Sequence, residues 1–309
     1  MPDAAISCRG LVKRYGDVTA VAGIDLQVRR GECFGMLGPN GAGKTTTIEI
    51  IQGLLDPDAG TVEVLGLTWE GHESDLRQRL GSQLQETKLP EKLTVEETIR
   101  LFRSFYHRSK AVDDVLQTVQ LEEKRRAWVA KLSGGQRQRL SVACALVSDP
   151  DILFLDEPTT GLDPQSRRQV WNVIGGFRES GGTVLITTHY MEEAERLCDR
   201  VAVIDHGQII ALGSPRELIR SLGADHVVEF ALEDGVPVPD EALVGLPGVE
   251  HVAHDDGKTR LTASRVHQVV PALMRLLADR GASLSELTTH HATLEDVFLS
   301  LTGRRLRDE

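Results

Sequence analysis

Short apolar runs alternate with helical patterns through much of the chain, and this alternation predicts its core. The runs are at 32–37, 152–155, 184–188 and 201–204, and helical patterns at 165–179 and 191–199 separate the last three. Continuous apolar strands between helices are typical of a parallel sheet that is covered on both faces. We therefore expect an α/β fold built on a parallel sheet.

The residues around this predicted sheet follow other patterns. Residues 4–10 and 18–28 alternate apolar and polar positions, as half-buried antiparallel strands do. From about 90 to 147 the spacing is helical, and Thr94 followed by Glu97 resembles a capping box. Residues 83–90 are polar and irregular, so we expect a loop there. The pattern thus adds an N-terminal antiparallel part and a helical part to the sheet.

The last third of the chain has a pattern of its own. Strands are predicted at 226–232, 248–255 and 258–263 and helices at 265–280 and after Thr293, with Pro271 either near the first turn of its helix or kinking it. We place a boundary near residue 222. The expected organisation is a large α/β domain at 1–222, with its helical part at about 90–147, and a small α+β domain at 223–309.

Composition excludes several classes of protein. The 309 residues are 40% hydrophobic and 26% charged, and the net charge of −11 gives no basic footprint for nucleic acid. Residues 1–20 hold no apolar block, and no run approaches eighteen apolar residues, so we expect neither a signal peptide nor a membrane span. The four cysteines lie far apart in apolar surroundings, which favours buried thiols in a reducing cytosol.

A glycine-rich loop between a predicted strand and a predicted helix carries the first chemical signal. Its residues are Gly38, Pro39, Asn40, Gly41, Ala42, Gly43, Lys44, Thr45 and Thr46, which read G-x-x-x-x-G-K-T. Such a loop turns its backbone N–H groups around a phosphate, its lysine reaches the β- and γ-phosphates, and its threonine hydroxyl binds Mg²⁺. The helix that follows directs its positive end at the anion. The loop predicts a nucleoside triphosphate site.

Two carboxylates end the apolar strand at 152–155. Asp156 stands at the strand end, where it can hold Mg²⁺ through the water shell of the ion. Glu157 follows, and it can polarise an attacking water as a general base. The alternative is a buried strand with a polar exit, and the phosphate loop upstream favours the catalytic interpretation.

The residues Ser133, Gly134, Gly135 and Gln136 form a second candidate anion site. They stand in the stretch LSGGQRQR, where the serine can cap a helix and the glycine N–H groups can face an anion. With this stretch the chain resembles the ATP-binding subunits of ABC transporters, whose signature sequence it matches. Four motifs occur in the order of that family, over residues 4 to about 222.

The resemblance implies a P-loop ATPase fold with a RecA-like parallel core, an antiparallel β subdomain and a helical signature subdomain. It also implies that two subunits, either two copies of this chain or this chain and a homologous subunit, bind ATP head to tail. In that arrangement the phosphate loop of one faces Ser133–Gln136 of the other, with Mg²⁺ at Thr45 and Asp156. Closure that depends on the γ-phosphate would then couple hydrolysis to movement.

Further positions match the family singly. Tyr15 falls where an aromatic stacks on adenine, although a core aromatic is the alternative. Gln85 falls where a glutamine senses Mg²⁺ and the attacking water in the loop that touches the membrane partner, and Gln83 is the rival candidate. Asp163 matches the loop that crosses to the other subunit. His189 matches the histidine that contacts the γ-phosphate.

The C-terminal residues 294–303 resemble the end of cassettes that serve ABC-2-type exporters, with Ala292 in place of a frequent proline. His290 and His291 are expected to face solvent, since a metal site lacks further ligands at suitable spacing. The arginines at 304, 305 and 307 either contact anionic lipid or form a solvated end.

We therefore expect a Mg-ATP hydrolase that drives a separate membrane permease, with export of a drug, lipid or polysaccharide-like substrate. The permease would dock near Gln85, and the chain would lie on the cytoplasmic face of the cell membrane. One alternative is a soluble ABC ATPase of translation or DNA repair, but the chain has a single cassette and no coiled-coil heptads. The other alternative, a regulator without catalysis, predicts the loss of Glu157 or His189.

Overall fold

The computed structural model describes residues 4–84, 88–223, 225–233, 238–255 and 257–303. The chain forms two compact units, Met1–Ile210 and Ala211–Glu309. The helix at Pro215–Arg220 contacts the helix at Leu294–Thr302, which places it in the second unit. The units thus divide before this helix, whereas the functional boundary near residue 222 stays a prediction.

The strands follow one another along both units. They are β1 Ala4–Tyr15, β2 Val18–Arg29, β3 Cys33–Leu37, β4 Ala59–Val64, β5 Leu80–Gln83, β6 Ile152–Asp156, β7 Thr183–Thr188, β8 Arg200–Asp205, β9 Gln208–Gly213, β10 His226–Leu232, β11 Val249–Asp255, β12 Lys258–Ala263 and β13 Leu284–His291.

The helices lie between these strands, together with single 3-10 turns at Glu122–Lys124 and Val129–Lys131. They are α1 Lys44–Ile51, α2 Glu73–Arg79, α3 Val95–Arg103, α4 Val112–Thr118, α5 Gly134–Leu146, α6 Pro164–Glu179, α7 Met191–Leu197, α8 Pro215–Arg220, α9 Asp240–Val244, α10 Val266–Asp279 and α11 Leu294–Thr302.

The central sheet has the order β5-β6-β7-β3-β8-β9, and its pairs from β5 to β8 are parallel. Every residue of β3, β6 and β7 is buried, as expected for strands that helices cover on both faces. Asp156 on β6 pairs with Thr187 on β7, and β3 is the other neighbour of β7. The strand ends that carry the motifs therefore meet at one edge, and the predicted α/β fold is confirmed.

A three-stranded antiparallel sheet, β2-β1-β4, confirms the predicted N-terminal β part. Its buried residues Ile6, Leu11 and Ile24 join one core with Phe34 and Ile48. This core fixes β3 and α1, between which the glycine-rich loop runs.

One strand of the central sheet differs from the prediction. Gln83 was assigned to a loop, but it ends β5, which pairs with β6. A Cβ atom at Gly81 would lie 2.2 Å from the Ala145 carbonyl oxygen, so only glycine lets α5 pack this closely on the strand. The short sequence LGSQ has no strand pattern of its own, and it forms a strand because of its tertiary contacts.

The second unit contains the sheet β11-β12-β10-β13, whose pairs are antiparallel. Val228 and Phe230 of β10 pack with Val269 and Leu273 of α10 in its core. Pro271 lies inside α10, past the first turn. The expected cap of α11 is present, since Thr293 N and Oγ1 both donate to Asp296 Oδ2 at 2.9 Å.

Several smaller expectations concern single side chains. The four cysteines are buried, as expected. His290 lies 3.5 Å from Asp296, and His291 is exposed, with its ring centroid 4.6 Å from that of His226. The arginines at 304, 305 and 307 lie outside the described residues. Within the described ranges, no helix has the length and apolar content needed to cross a membrane, and no cluster of side chains suits a metal ion.

Candidate functional site

The loop between β3 and α1 encloses a cavity of about 380 Å³. Its lining residues are Tyr15, Ala20, Asn40, Gly41, Gly43, Lys44, Thr45, Thr46 and Glu157. Gly43 has φ +100°, and a Cβ atom there would lie 2.2 Å from the Ala20 carbonyl oxygen. At Gly38 a Cβ atom would lie 2.2 Å from the Ile204 carbonyl oxygen. At these two positions the loop lies too close to neighbouring backbone for a residue larger than glycine.

Lys44 lies inside this loop and is only 4% exposed. Its Nζ donates to the carbonyl oxygens of Gly38, at 2.8 Å, and Pro39, at 3.1 Å. Burial lowers the pKa of the Lys44 ammonium, and the neighbouring Glu157 carboxylate opposes this shift. The ammonium thus lies within the loop, where its N–H groups can donate to a bound anion in place of these carbonyl oxygens. Pro39 and Ala42 form a turn of the loop, with Ala42 N donating to Pro39 O at 3.2 Å.

Asp156 and Glu157 are both buried beside the loop. Asp156 Oδ1 accepts hydrogen bonds from Thr187 Oγ1 and, at 3.4 Å, from Thr45 Oγ1. Burial raises the pKa of the Asp156 carboxyl, and these two hydrogen bonds oppose the rise. The motif residues Thr45 and Asp156, 111 positions apart in the chain, are therefore in contact.

Glu157 is held in an uncommon backbone conformation, with φ +48°. Its N–H donates to Thr187 Oγ1 at 3.0 Å and lies 3.1 Å from the Thr187 carbonyl oxygen. Thr187 thus binds both acidic residues: it contacts the side chain of Asp156 and the backbone N–H of Glu157. Thr187 was not among the predicted site residues, because its position opposite Asp156 follows from the pairing of β6 with β7.

The Glu157 carboxylate lies close to two nitrogen groups, the Lys44 ammonium and the His189 imidazole. Its Oε2 is 3.3 Å from His189 Nδ1, and its Oε1 is 3.4 Å from Lys44 Nζ. The hydrogen bond with His189 and the charge of Lys44 outweigh burial and lower the pKa of Glu157 from 4.5 to about 2. The predicted residues Lys44, Glu157 and His189 therefore form one cluster at the cavity.

Tyr15 lines the same cavity and is 50% exposed, so it is not a core aromatic. Gln85, in contrast, lies outside the described residues. Its rival Gln83 is 2% exposed and donates from Nε2 to the Leu84 carbonyl oxygen at 2.7 Å.

The residues 133–136 begin α5 and are absent from the described lining of the loop cavity. Ser133 and Gln136 form a capping box, with Gln136 N donating to Ser133 Oγ at 3.2 Å and Ser133 N to Gln136 Oε1 at 3.1 Å. No atom lies within 4 Å of a Cβ placed at Gly134, whereas one at Gly135 would meet Ser166 Oγ at 2.2 Å. One side of this helix start is open and the other packs on α6.

Asp163 begins α6, and its Oδ1 accepts from Gln165 N at 3.0 Å and Ser166 N at 2.9 Å. The side chain is exposed and lines no part of the loop cavity that the structure describes. The predicted residues thus fall into two groups: the loop, carboxylate and histidine group around one cavity, and the exposed starts of α5 and α6.

These features define a P-loop ATPase whose helix α5 has a capped start with one open side. The family model described as ABC transporter matches residues 21–160. Nod factor export ATP-binding protein I of Ralstonia nicotianae is 44% identical over 98% of this chain and 95% of its own length. Daunorubicin resistance ATP-binding protein DrrA3 of Streptomyces coeruleorubidus is 40% identical over 100% of this chain and 99% of its own.

Solved structures give the same result. A structure of the ATP-binding subunit of an ABC transporter has a TM-score of 0.64 and 28% identity, over 71% of this chain and 93% of that one. The dimeric structure of a bacterial ABC transporter cassette has a TM-score of 0.61 and 26% identity, over 68% and 98%. The chain belongs to the ATP-binding subunits of ABC transporters, and it binds and hydrolyses ATP as such a subunit.

Proposed function

We propose that the chain drives export through a separate membrane permease, and that the cluster of Lys44, Glu157 and His189 is its hydrolytic centre. The observation that carries the proposal is the position of Glu157 between Lys44 Nζ and His189 Nδ1 at the mouth of the phosphate loop. Export is supported by relatives over nearly the whole chain whose names refer to Nod factor export and daunorubicin resistance.

In this proposal the loop residues 38–46 hold the phosphates and Tyr15 stacks on adenine. Lys44 turns from the loop carbonyls to the β- and γ-phosphates, which match its charge better. Glu157 then loses one of the two partners that lower its pKa, and it becomes a stronger base for the attacking water. His189 contacts the γ-phosphate and keeps the carboxylate aligned.

The residues also fit Mg²⁺. Thr45 Oγ1 and Asp156 Oδ1 are 3.4 Å apart, and both are the hard oxygen ligands that this ion prefers. Gln85 is the third proposed ligand. When bound, the ion would neutralise phosphate charge and orient the γ-phosphate for attack.

We further propose that each site is completed by Ser133–Gln136 and Asp163 of a second subunit. The open face of Gly134 and the exposed Asp163 support this arrangement, because each leaves polar groups available to another chain. The permease would dock near Gln85, which would place the chain on the cytoplasmic face of the membrane. Residues 1–222 would form the ATPase domain and 223–309 an accessory domain.

The test combines catalysis with partner identification. Glu157→Gln should abolish steady-state ATP hydrolysis while ATP still binds, since the amide keeps the shape but cannot accept a proton. Tagged wild-type chain purified from native membranes should bring with it a polytopic membrane protein in roughly equal amount. Continued hydrolysis by the variant removes Glu157 from the base role, and co-purification with ribosomes or repair proteins instead removes the transport role.

Export itself is measured in inside-out vesicles that contain the purified complex, with daunorubicin as the drug probe and lipid and polysaccharide probes beside it. The wild-type complex should accumulate one class of probe only when ATP is present, and the Lys44→Ala complex should accumulate none. ATP-dependent release of probe from the vesicles would indicate import.

A further inference from the structure

We propose that Arg167 and Tyr190 are positioning residues, which form a stack that aligns the His189 imidazole with Glu157. The inference rests on the proposed role of His189 in hydrolysis. Its carrying observation is that the Tyr190 ring contacts His189 and Arg167 at once. The ring centroids of Tyr190 and His189 are 4.1 Å apart with planes tilted by 48°, and Arg167 Cζ lies 4.3 Å from the Tyr190 centroid.

The tyrosine end of the stack has a fixed backbone. Tyr190 is the residue before α7, and its N–H donates to Thr188 Oγ1 at 2.9 Å. Thr188 is itself the last residue of the buried strand β7. Since His189 stands between these two residues, its backbone position follows from the strand, while its ring orientation depends on side-chain neighbours. The Tyr190 ring supplies such a neighbour, with its centroid 4.1 Å from that of the imidazole.

The arginine end is anchored by α6. Arg167 N donates to the Asp163 carbonyl oxygen at 2.9 Å, within the first turn that Asp163 caps. The preceding residue, Ser166, packs against Gly135 so closely that a Cβ atom there would lie 2.2 Å from Ser166 Oγ. The helix start that carries Arg167 therefore has little freedom to shift, and its guanidinium is a stable support for the ring.

The ring contact suits the chemistry of this arginine. Its Nε is buried and, in the part of the chain that the structure describes, donates to no hydrogen-bond acceptor. Burial raises the pKa of the Glu193 carboxyl, and the charge of Arg167 is one of the influences that oppose this rise. A guanidinium over an aromatic face gains from the ring quadrupole, and more so when water is excluded. The stack thus holds Tyr190 in one orientation, and Tyr190 in turn restricts the imidazole.

Loss of the stack should affect the rate of hydrolysis and not the binding of ATP. Misalignment of His189 weakens its contact with Glu157 Oε2, now 3.3 Å, while Arg167 and Tyr190 themselves are not among the described residues that line the loop cavity. Loss of the stack should therefore lower kcat while leaving ATP affinity unchanged, because alignment of reacting groups affects the transition state more than the bound state.

The test measures kcat, KM and the affinity for a non-hydrolysable ATP analogue in the full chain with Mg²⁺. Arg167→Met should lower kcat roughly three- to fivefold and Tyr190→Leu roughly tenfold, both with unchanged analogue affinity. Tyr190→Phe should restore most of the activity, because the ring remains. Arg168→Met is the matched control: this neighbouring arginine is exposed, and its Nε donates to the Pro164 carbonyl oxygen at 3.3 Å.

A double variant separates the stack from a general structural role. Because Arg167 acts through the ring, Arg167→Met should lower kcat no further in a Tyr190→Leu background. Effects that multiply, or equal kcat values for Arg167→Met and Arg168→Met, would overturn the inference. If Tyr190→Leu fails to fold, judged by its melting temperature, the two arginine variants and Tyr190→Phe still decide.

A histidine variant distinguishes this inference from the proposed function. If His189→Ala keeps the wild-type kcat, the proposed role of His189 fails and the stack has no catalytic target. If His189→Ala abolishes hydrolysis while Arg167→Met and Tyr190→Leu both keep the wild-type kcat, only the stack is wrong.

Discussion

The basicity of Glu157 depends on the side chains that lie close to its carboxylate. Two neighbours, His189 and Lys44, lower its pKa to about 2, and a carboxylate this weakly basic is a poor acceptor for a proton of water. Both neighbours are also natural partners for a phosphate. In the proposed reaction Lys44 turns to the phosphates while His189 keeps the carboxylate aligned, so triphosphate binding would remove one of the two influences that lower the pKa of Glu157.

The depressed pKa of Glu157 makes a prediction about stability. The folded carboxyl titrates at about 2 rather than 4.5, so between these values the unfolded chain binds more protons and stability rises with pH. The contribution is complete above about 4.5 and is lost as the pH falls toward 2. Glu157→Gln should therefore make the pH slope of the unfolding free energy shallower, by up to about 1.4 kcal/mol per pH unit.

Urea unfolding between about pH 5 and pH 3.5 measures this slope. Glu49→Gln is the control, because the pKa shift of Glu49 has the opposite sign to that of Glu157. Burial and the charge of Asp156 raise the pKa of Glu49. Its folded state binds more protons than its unfolded state, so removing it should not flatten the slope. Equal slopes for the wild type and Glu157→Gln would show that the carboxylate is not held by His189 and Lys44.

Gly38 gives a steric prediction at the same scale. A Cβ atom there would lie 2.2 Å from the Ile204 carbonyl oxygen, which belongs to β8 and cannot move without disturbing the sheet. Gly38→Ala should destabilise the chain by about 1–3 kcal/mol and weaken ATP binding.

Gly41→Ala is the comparison for this variant. Gly41 has φ +78°, but nothing lies within 4 Å of its Cβ position, so alanine there meets only backbone strain of about 1–2 kcal/mol. Thermal unfolding and binding of an ATP analogue measure both variants. A Gly38→Ala chain as stable as Gly41→Ala would contradict the close approach of the loop to β8.

The site could be predicted from sequence to the extent that its residues stand in motifs. Lys44, Asp156 and Glu157 were assigned from local context and His189 from the resemblance to the family, and the structure brings the four together. Thr187 was not, because a threonine in a buried strand is explained by strand propensity alone. Its two hydrogen bonds become visible only when β6 and β7 are paired.

At the scale of elements, patterns of burial were a better guide than propensity. The apolar runs of β3, β6 and β7 predicted strands because helices cover both faces of that sheet. The sequence LGSQ of β5 has no such run, and its strand exists because it pairs with β6 and because Gly81 admits α5. Local sequence cannot report a partner that is about seventy residues away.

The capping box of α3 offers a test of an element that does not touch the ATP cavity. Thr94 Oγ1 accepts from Glu97 N at 3.3 Å, and Thr94 N donates to Glu97 Oε2 at 2.8 Å. Thr94→Ala should cost about 1 kcal/mol of stability and leave ATP analogue binding unchanged.

Thr118→Ala, in the neighbouring helix α4, is the control for Thr94→Ala. Thr118 is exposed in α4, and its hydroxyl donates to the Asp114 carbonyl oxygen within the helix, where it satisfies no otherwise unpaired group. Chemical denaturation should therefore find Thr118→Ala close to the wild type. Equal midpoints for the two variants would mean that the box does not hold the start of α3.

At the scale of the whole molecule, the order of elements was predictable, and the point where the compact units divide depends on contacts between distant parts of the chain. The alternating strands and helices predicted the α/β class, and the final strands and helices predicted a separate small domain. The compact units divide at Ile210, however, because α8 packs with α11, which is some eighty residues further along the chain. Likewise Arg260 bonds Glu229 and Asp296 within the second unit, a network that joins three distant positions.

The separation of the phosphate loop from the start of α5 makes the last prediction. The loop and the start of α5 belong to one unit, yet residues 133–136 are not among the described residues that line the loop cavity. In the arrangement that we propose, a complete site requires the loop of one copy and the helix start of another. Ser133→Arg and Lys44→Ala chains should each be inactive alone, because every homodimeric site contains one damaged half.

Mixing the two inactive chains should restore hydrolysis. Half of the random dimers contain one chain of each kind, and each of these has one site with two intact halves, so activity can reach about one quarter of the wild-type value per chain. The control mixture is Lys44→Ala with Glu157→Gln. Both changes damage the loop side, so no exchange of copies gives an intact site. Restoration in the first mixture alone requires shared sites, whereas silence in both, from chains that still fold and bind the ATP analogue through an undamaged loop, would place a whole site within one copy.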